Sequence, residues 1–178
     1  MNEKLNKLEN LNKILKPPPL ELGGKFLPEG SSKQYDFMFV AEKPSMNIPK
    51  DWDGKSNYNF DVTKRDKFFQ TMMVKYGVDG NYATDIVKER GRPGKPAKAE
   101  IQEWLPFLRK EIEIIQPKVI IVVGERTYNE SFKPFVKSSI PKDIKVDWVY
   151  HYRQQGSKTD VEVEQRFGEV INRMRYSN

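Results

Sequence analysis

The sequence of 178 residues contains no cysteine and a single histidine, His151. The lack of cysteine excludes disulfides, thiolate zinc sites, cysteine-ligated iron–sulfur clusters and a cysteine nucleophile. One imidazole is also too few for a histidine-rich metal site, so we expect no metal and no cofactor. Chemistry in this chain must therefore depend on carboxylates, one imidazole, backbone dipoles and basic groups.

Long apolar runs are missing as well. No stretch approaches the ~20 apolar residues that a membrane span needs, and residues 1–16 alternate leucine with Asn, Lys and Glu instead of forming a signal peptide. We therefore expect a cytoplasmic protein without membrane association. The formal net charge of +6 favours a polyanionic partner such as nucleic acid.

Short apolar runs alternate with helical patterns along the chain. Strands are predicted at 37–40, 82–87, 119–123 and 145–150, and helices at 2–15, 63–76, 98–115, 125–135 and 161–174. Such alternation implies parallel strands with helices on both faces of the sheet. We predict one domain over residues 1–178: a three-layer α/β/α sandwich with a central, mainly parallel four-stranded sheet. An N-terminal helix and a proline-rich leader occupy residues 1–33.

Polar or small residues stand where each predicted strand ends, namely Glu42, Asp85, Gly124 and His151. Because the carboxyl ends of parallel strands meet at one edge of a sheet, we expect these residues to converge there. Glu42 is a candidate catalytic carboxylate. Simpler structural roles stay open: Glu42 as a cap for turn N–H groups, His151 as a structural imidazole, and Asp85 as a helix or loop cap.

Two loop segments carry further candidates. Residues 46–61 are polar and irregular but include aromatics, and Phe60 among them either stacks on a flat ligand or packs the loop against the core. Residues 88–96 are basic and rich in glycine and proline. Their cations either line a phosphate track or form a solvated turn.

Several segments match, in order, the motifs of one known family. Residues 41–45 (Ala-Glu-Lys-Pro-Ser) resemble its Gly-Glu-Ala-Pro-Gly motif, and residues 84–96 resemble its Thr-Asn-Val-Val-Lys-Cys-Arg-Pro-Pro segment. Residues 115–124 continue the match, and His151 takes the place of the histidine in its His-Pro-Ser motif. Over residues 37–151 the chain thus resembles the uracil-DNA glycosylase superfamily, and most of all its family 4 and 5 branches.

This resemblance implies a monofunctional DNA glycosylase that hydrolyses the N-glycosidic bond of a flipped-out deaminated base in base-excision repair. It implies catalytic roles for Glu42 and His151. The residues implied to bind the base are Ala41, Lys43, Phe60 and Asp85; those implied to bind DNA phosphates are Ser45, Lys88, Arg90, Arg92 and Arg153. The expected partner is DNA, bound by a monomer.

The chain also departs from the family pattern. The iron–sulfur cysteines are missing, and Asp85 stands where the family has a base-reading asparagine. An ionised carboxylate only accepts hydrogen bonds, so it opposes the O4 acceptor of uracil. Tyr152 and Arg153 replace the Pro-Ser pair, and Ala41 and Ser45 replace two glycines. These changes keep two alternatives open: an inactive nucleic-acid-binding module of the same fold, and hydrolysis of a free nucleoside or nucleotide.

Overall fold

A single parallel sheet forms the centre of the protein. The structure is a computed structural model that describes residues 3–14, 36–44, 64–88, 94–153 and 158–176. The strands are β1 (Phe37–Ala41), β2 (Tyr82–Asp85), β3 (Val119–Val123) and β4 (Lys145–Val149). They lie in the order β2-β1-β3-β4, and each neighbouring pair is parallel. The predicted α/β class and four-stranded sheet are confirmed.

Helices cover both faces of this sheet. They are α1 (Glu3–Ile14), α2 (Lys64–Lys75), α3 (Lys98–Ile115) and α4 (Asp160–Tyr176), together with a π-helical segment (Thr127–Val136) and a short 3-10 turn (Lys137–Ser139). The four α-helices and the π-helical segment lie where the sequence predicts helices, whereas the 3-10 turn was not predicted. Thr63, which the sequence favours as the residue that caps the start of α2, lies outside the described residues.

The central strands are apolar throughout because both of their faces are buried. Alternate residues of β1 and β3 enter separate cores, as a period of two requires. One core lies under α1, α3 and the π-helical segment, and it includes Leu8 and Leu11 of α1. The other lies under α2 and α4, where Phe69 makes edge contacts with Phe39 and Phe167. Helix α1 therefore packs against the flank of the domain.

The segment after β3 differs in type from the prediction. The sequence predicts an ordinary short helix at 125–135, whereas Thr127–Val136 has the wider π geometry, and the Lys137 N–H donates to the Phe132 carbonyl five residues back. Pro134 lies inside this segment and offers no N–H. Proline removes a helical hydrogen bond, and wide turns are one way to accommodate that loss. Helical periodicity alone does not reveal this widening.

Two helix ends have clear chemical causes. Helix α4 begins with a reciprocal pair in which the Thr159 N–H donates to Glu162 Oε2 (2.7 Å) and the Glu162 N–H donates to Thr159 Oγ1 (3.2 Å). Helix α3 ends at Ile115. The next residue, Gln116, has a φ of 53°, which turns the chain just before Pro117. Across the described ranges, no helix combines the length and apolar character needed to cross a membrane.

Candidate active site

The parallel sheet brings its four strand exits to one edge. Glu42 follows β1, Asp85 ends β2, Gly124 follows β3, and His151 comes just after β4. Of the predicted site residues, Ala41, Lys43, Lys88 and Arg153 also belong to the described part of the chain. The others, Ser45, Phe60, Arg90 and Arg92, lie outside the described residues, so their predicted roles stay predictions.

Glu42 is buried at this edge, and its carboxylate has two partners from the chain that follows β3. Arg126 Nη2 lies 2.7 Å from Glu42 Oε2, and the Ser131 hydroxyl donates to Oε1 at 3.3 Å. The backbone carbonyl of Glu42 accepts the Val87 N–H at 3.1 Å, which ties the exits of β1 and β2 together. Sequence reasoning missed Arg126 and Ser131. The one available signal was the position of Arg126 just beyond a buried strand.

Gly124 brings the same chain segment against His151. Its φ of +111° is a left-handed value that side chains disfavour, and its N–H donates to the Val149 carbonyl at 2.8 Å. A Cβ at this position would lie 2.9 Å from Thr127 Oγ1 and 3.6 Å from His151 Cβ. We call residues 124–131 the β3 exit segment. Its side chains Arg126 and Ser131 bind Glu42, and Gly124 at its start is hydrogen-bonded to Val149 and lies close to His151.

His151 is held as a neutral imidazole with a defined tautomer. The Arg153 N–H donates to His151 Nδ1 at 3.0 Å, so Nδ1 is the acceptor and the proton of the neutral ring resides on Nε2. Burial lowers the pKa of His151 to about 4, and the charges of Arg153 and Arg126 act in the same direction, while Asp66 opposes them. The ring also stacks on Tyr152, with centroids 5.0 Å apart.

Asp66 anchors the chain that carries His151. This carboxylate of α2 is fully buried and accepts two contacts from Arg153 Nη2, at 2.6 Å and 2.7 Å. Burial, followed by the charge of Asp66, raises the pKa of Tyr152 well above its usual value, and the charge of Asp85 also acts on both Tyr152 and Arg153. Asp85 therefore borders this cluster. Sequence reasoning missed Asp66, and binding of phosphate by Arg153 stays a prediction.

The comparison with protein families decides the affiliation of the chain. The sequence model of the uracil DNA glycosylase superfamily matches residues 27–168, which include all four strands and the edge just described. The chain belongs to this superfamily. A search of curated proteins gave no match. Membership supports a glycosylase-like function in general.

One predicted phosphate ligand of this superfamily member is wrong. Lys88 has no exposed surface, and its ammonium group pairs with Glu111 of α3 and donates to Thr84 Oγ1 and the Asp85 carbonyl. Glu111 is equally buried and also accepts the Tyr82 hydroxyl at 2.7 Å. The basic run led to the expectation of an exposed cation. Instead, Lys88 neutralises a carboxylate inside the protein and holds the end of β2.

A broad cavity lies at the opposite edge of the sheet from the candidate site. Its lining includes Phe37 and Val119 at the starts of β1 and β3, and Lys145 at the start of β4.

 This part of the cavity thus lies at the amino-terminal ends of the strands, whereas Glu42 and His151 follow the carboxyl ends. Within the described residues, no group of three or more His, Asp or Glu side chains is arranged to hold a metal ion. The candidate chemistry therefore rests on the carboxyl edge.

The buried Lys88–Glu111 pair generates a stability prediction. Lys88→Met leaves the Glu111 carboxylate buried without its counter-charge, and breaking such pairs costs about 3–5 kcal/mol. We expect the double variant Lys88→Met/Glu111→Gln to recover most of that loss, because the remaining amide still accepts the Tyr82 hydroxyl. Urea unfolding measures both free energies.

The matched control for this prediction is Lys110→Met, which removes an exposed lysine from α3, the helix that carries Glu111. Surface changes of this kind usually stay within about 0.5 kcal/mol. Equal losses for Lys88→Met and Lys110→Met would contradict the buried pair.

The low pKa of His151 generates a prediction about acid stability. The folded pKa of about 4 lies below the ordinary histidine pKa of 6.5, so between these pH values the unfolded chain binds the proton more readily. The stabilisation is therefore complete above pH 6.5 and is lost as the pH falls towards 4. At about 1.4 kcal/mol per pKa unit, the loss reaches about 3 kcal/mol.

This loss is measured as the difference in unfolding free energy between the wild type and His151→Gln at a series of pH values. Carboxylates titrate in both proteins, so their contribution largely cancels in the difference. A difference that does not change between pH 6.5 and 4 would refute the burial of a neutral imidazole.

Proposed function

We propose that the chain is a monofunctional DNA glycosylase, which hydrolyses the N-glycosidic bond of a flipped-out deaminated base, uracil or a related lesion, in base-excision repair. One observation supports this proposal above the others. The β3 exit segment binds the Glu42 carboxylate through Arg126 and Ser131, and Gly124 at its start lies close to neutral His151 at the same edge of the sheet. Membership of the superfamily supplies the reaction class.

Glu42 has the chemistry needed on the sugar side of the scissile bond. Cleavage of a glycosidic bond passes through an oxocarbenium-like sugar, which a nearby carboxylate stabilises. The same carboxylate can orient a water molecule and take its proton as water attacks. The contacts with Arg126 and Ser131 restrict the orientation of the Glu42 side chain, so less reorganisation is needed during the reaction.

His151 has the chemistry needed on the side of the departing base. Bond cleavage leaves negative charge on the base oxygen, and a donor placed there stabilises it. The tautomer with the proton on Nε2 makes neutral His151 such a donor. A hydrogen bond from the neutral ring requires no protonation of His151 at physiological pH, consistent with its low pKa.

The remaining contacts are assigned by prediction. The target base leaves the stack before cleavage, and Phe60 receives its face, a contact worth about 1–3 kcal/mol. Ala41, Lys43 and Asp85 border the base, and Ser45, Arg90 and Arg92 bind phosphates. Such phosphate contacts make binding sensitive to salt.

The direct test uses oligonucleotides that carry one uracil, hypoxanthine or xanthine, both single- and double-stranded. We expect the protein to release a base, so that alkali cleaves the strand at the abasic site. Glu42→Gln should lower the rate about 100-fold or more because it removes the carboxylate. His151→Ala should lower it by a similar factor because it removes the donor to the base oxygen.

Glu113→Gln is the matched control, because it removes an exposed carboxylate of α3 away from the site. Full activity of both Glu42→Gln and His151→Ala would refute the catalytic assignment. Salt-sensitive DNA binding without release of any base would favour the inactive binding module. That alternative has one specific observation behind it, since both oxygens of Glu42 already have protein partners. Activity on free nucleosides alone would select the other alternative, a hydrolase of free nucleosides or nucleotides.

Asp85 generates a prediction about base preference. Its carboxylate accepts the N3–H of uracil but opposes O4, whereas an amide accepts the first and donates to the second. Asp85→Asn should therefore raise the rate of uracil release about tenfold, since an unfavourable polar contact costs about 1–3 kcal/mol. The single-turnover rate of uracil release, compared between the variant and the wild type, measures this gain, and an unchanged rate would remove Asp85 from base recognition.

A further inference from the structure

Arg126 combines an exposed position with a buried partner. The residue lies just before the π-helical segment, and 57% of its side chain is exposed, while the Glu42 side chain is 10% exposed. Its Nη2 lies 2.7 Å from Glu42 Oε2. Exposed ion pairs usually contribute little. Here, however, the carboxylate is the one that the proposed reaction uses, so the contact bears on chemistry as well as stability.

Hydrogen bonds hold the backbone on both sides of Arg126. The Gly124 N–H donates to the Val149 carbonyl at the end of β4, and the Tyr128 N–H donates to the Gly124 carbonyl at 2.9 Å. Ser131, further along the same segment, reaches the second oxygen of Glu42. Arg126 therefore projects from a fixed turn. Its position relative to Glu42 and to the chain of His151 is set by backbone hydrogen bonds.

We propose that Arg126 is a positioning residue for base release: it holds the Glu42 carboxylate in its working orientation and places a positive charge where both Glu42 and His151 face the substrate. This inference rests on the proposed glycosylase function. It assigns Arg126 to the organisation of the site instead of to the phosphate track. The residue belongs to none of the segments that led to the predicted site.

Charged side chains from three parts of the chain act on His151, and one of these side chains is Arg126. Arg153 lies two residues on, Arg126 comes from the β3 exit segment, and Asp66 comes from α2. Burial and the two arginines lower the pKa of His151, and Asp66 raises it. Glu42 also faces Arg126, and Asp85 borders Arg153. Loss of the Arg126 charge should therefore raise the pKa of His151, while a lysine at the same place should keep it low.

The first measurement needs no substrate. His151 is the only histidine, so its ring signals in an NMR titration are assigned without ambiguity. We compare the wild type with Arg126→Gln and Arg126→Lys, and use Arg109→Gln as the control, because Arg109 is exposed on α3 and lines the cavity at the opposite edge. Arg126→Gln should shift the titration of His151 to higher pH, whereas Arg126→Lys and Arg109→Gln should leave it unchanged.

The second measurement separates positioning from DNA binding. With a lesion oligonucleotide that the wild type cleaves, Arg126→Gln should lower kcat about 10- to 100-fold, as misplaced catalytic groups do. KM and its salt dependence should change little. A phosphate-binding arginine would instead raise KM and reduce the salt slope by about one contact. Arg126→Lys should recover part of kcat because it keeps the charge beside Glu42.

The outcomes separate this inference from the proposed function. A lower kcat together with a shifted titration in Arg126→Gln alone supports the positioning role. An active wild type with unchanged kcat and titration in Arg126→Gln, or with a change confined to KM, overturns the role of Arg126 and leaves the glycosylase intact. A wild type inactive on every lesion overturns the proposed function and the positioning role of Arg126 together, whatever the titration gives.

Discussion

The parallel pairing of β1 with β3 is the constraint on which the candidate site depends. Both strands are buried on both faces, so their register is fixed by two cores at once. A slip by one residue would exchange the side chains of the two faces. Because the strands also run in the same direction, Glu42 and Gly124 must emerge at one edge. The geometry of the site is thus a consequence of strand packing.

Three buried carboxylates in this region pair with basic side chains from different elements. Glu42 pairs with Arg126, Asp66 with Arg153 and Glu111 with Lys88. A carboxylate removed from water is costly unless it is paired and hydrogen-bonded. The pairs therefore connect β1 to the β3 exit segment, α2 to the exit of β4, and α3 to the exit of β2. Charge compensation links the very chain segments that carry the candidate side chains.

Periodicity and composition predicted the framework because they report burial directly. The β-branched run of β3 has no polar residue, so it fits a strand covered on both faces, and its predicted bounds match the observed ones. Partner choice is different. Nothing local distinguishes buried Lys88 from an exposed cation of the same basic run, since its burial depends on Glu111 more than twenty residues away. Arg126 and Asp66 were missed for the same reason, because their partners become neighbours only after folding.

The electrostatics of the edge favour one way of handling charge within the proposed reaction. A positive charge near an imidazole disfavours its protonation, so the arginines that lower the pKa of His151 also create a potential that favours a developing anion. A departing base is such an anion. The same groups would therefore keep His151 neutral and stabilise the leaving base. Because Glu42 carries the negative charge on the sugar side, a substrate bound between them would meet a field aligned with the separation of charge along the breaking bond.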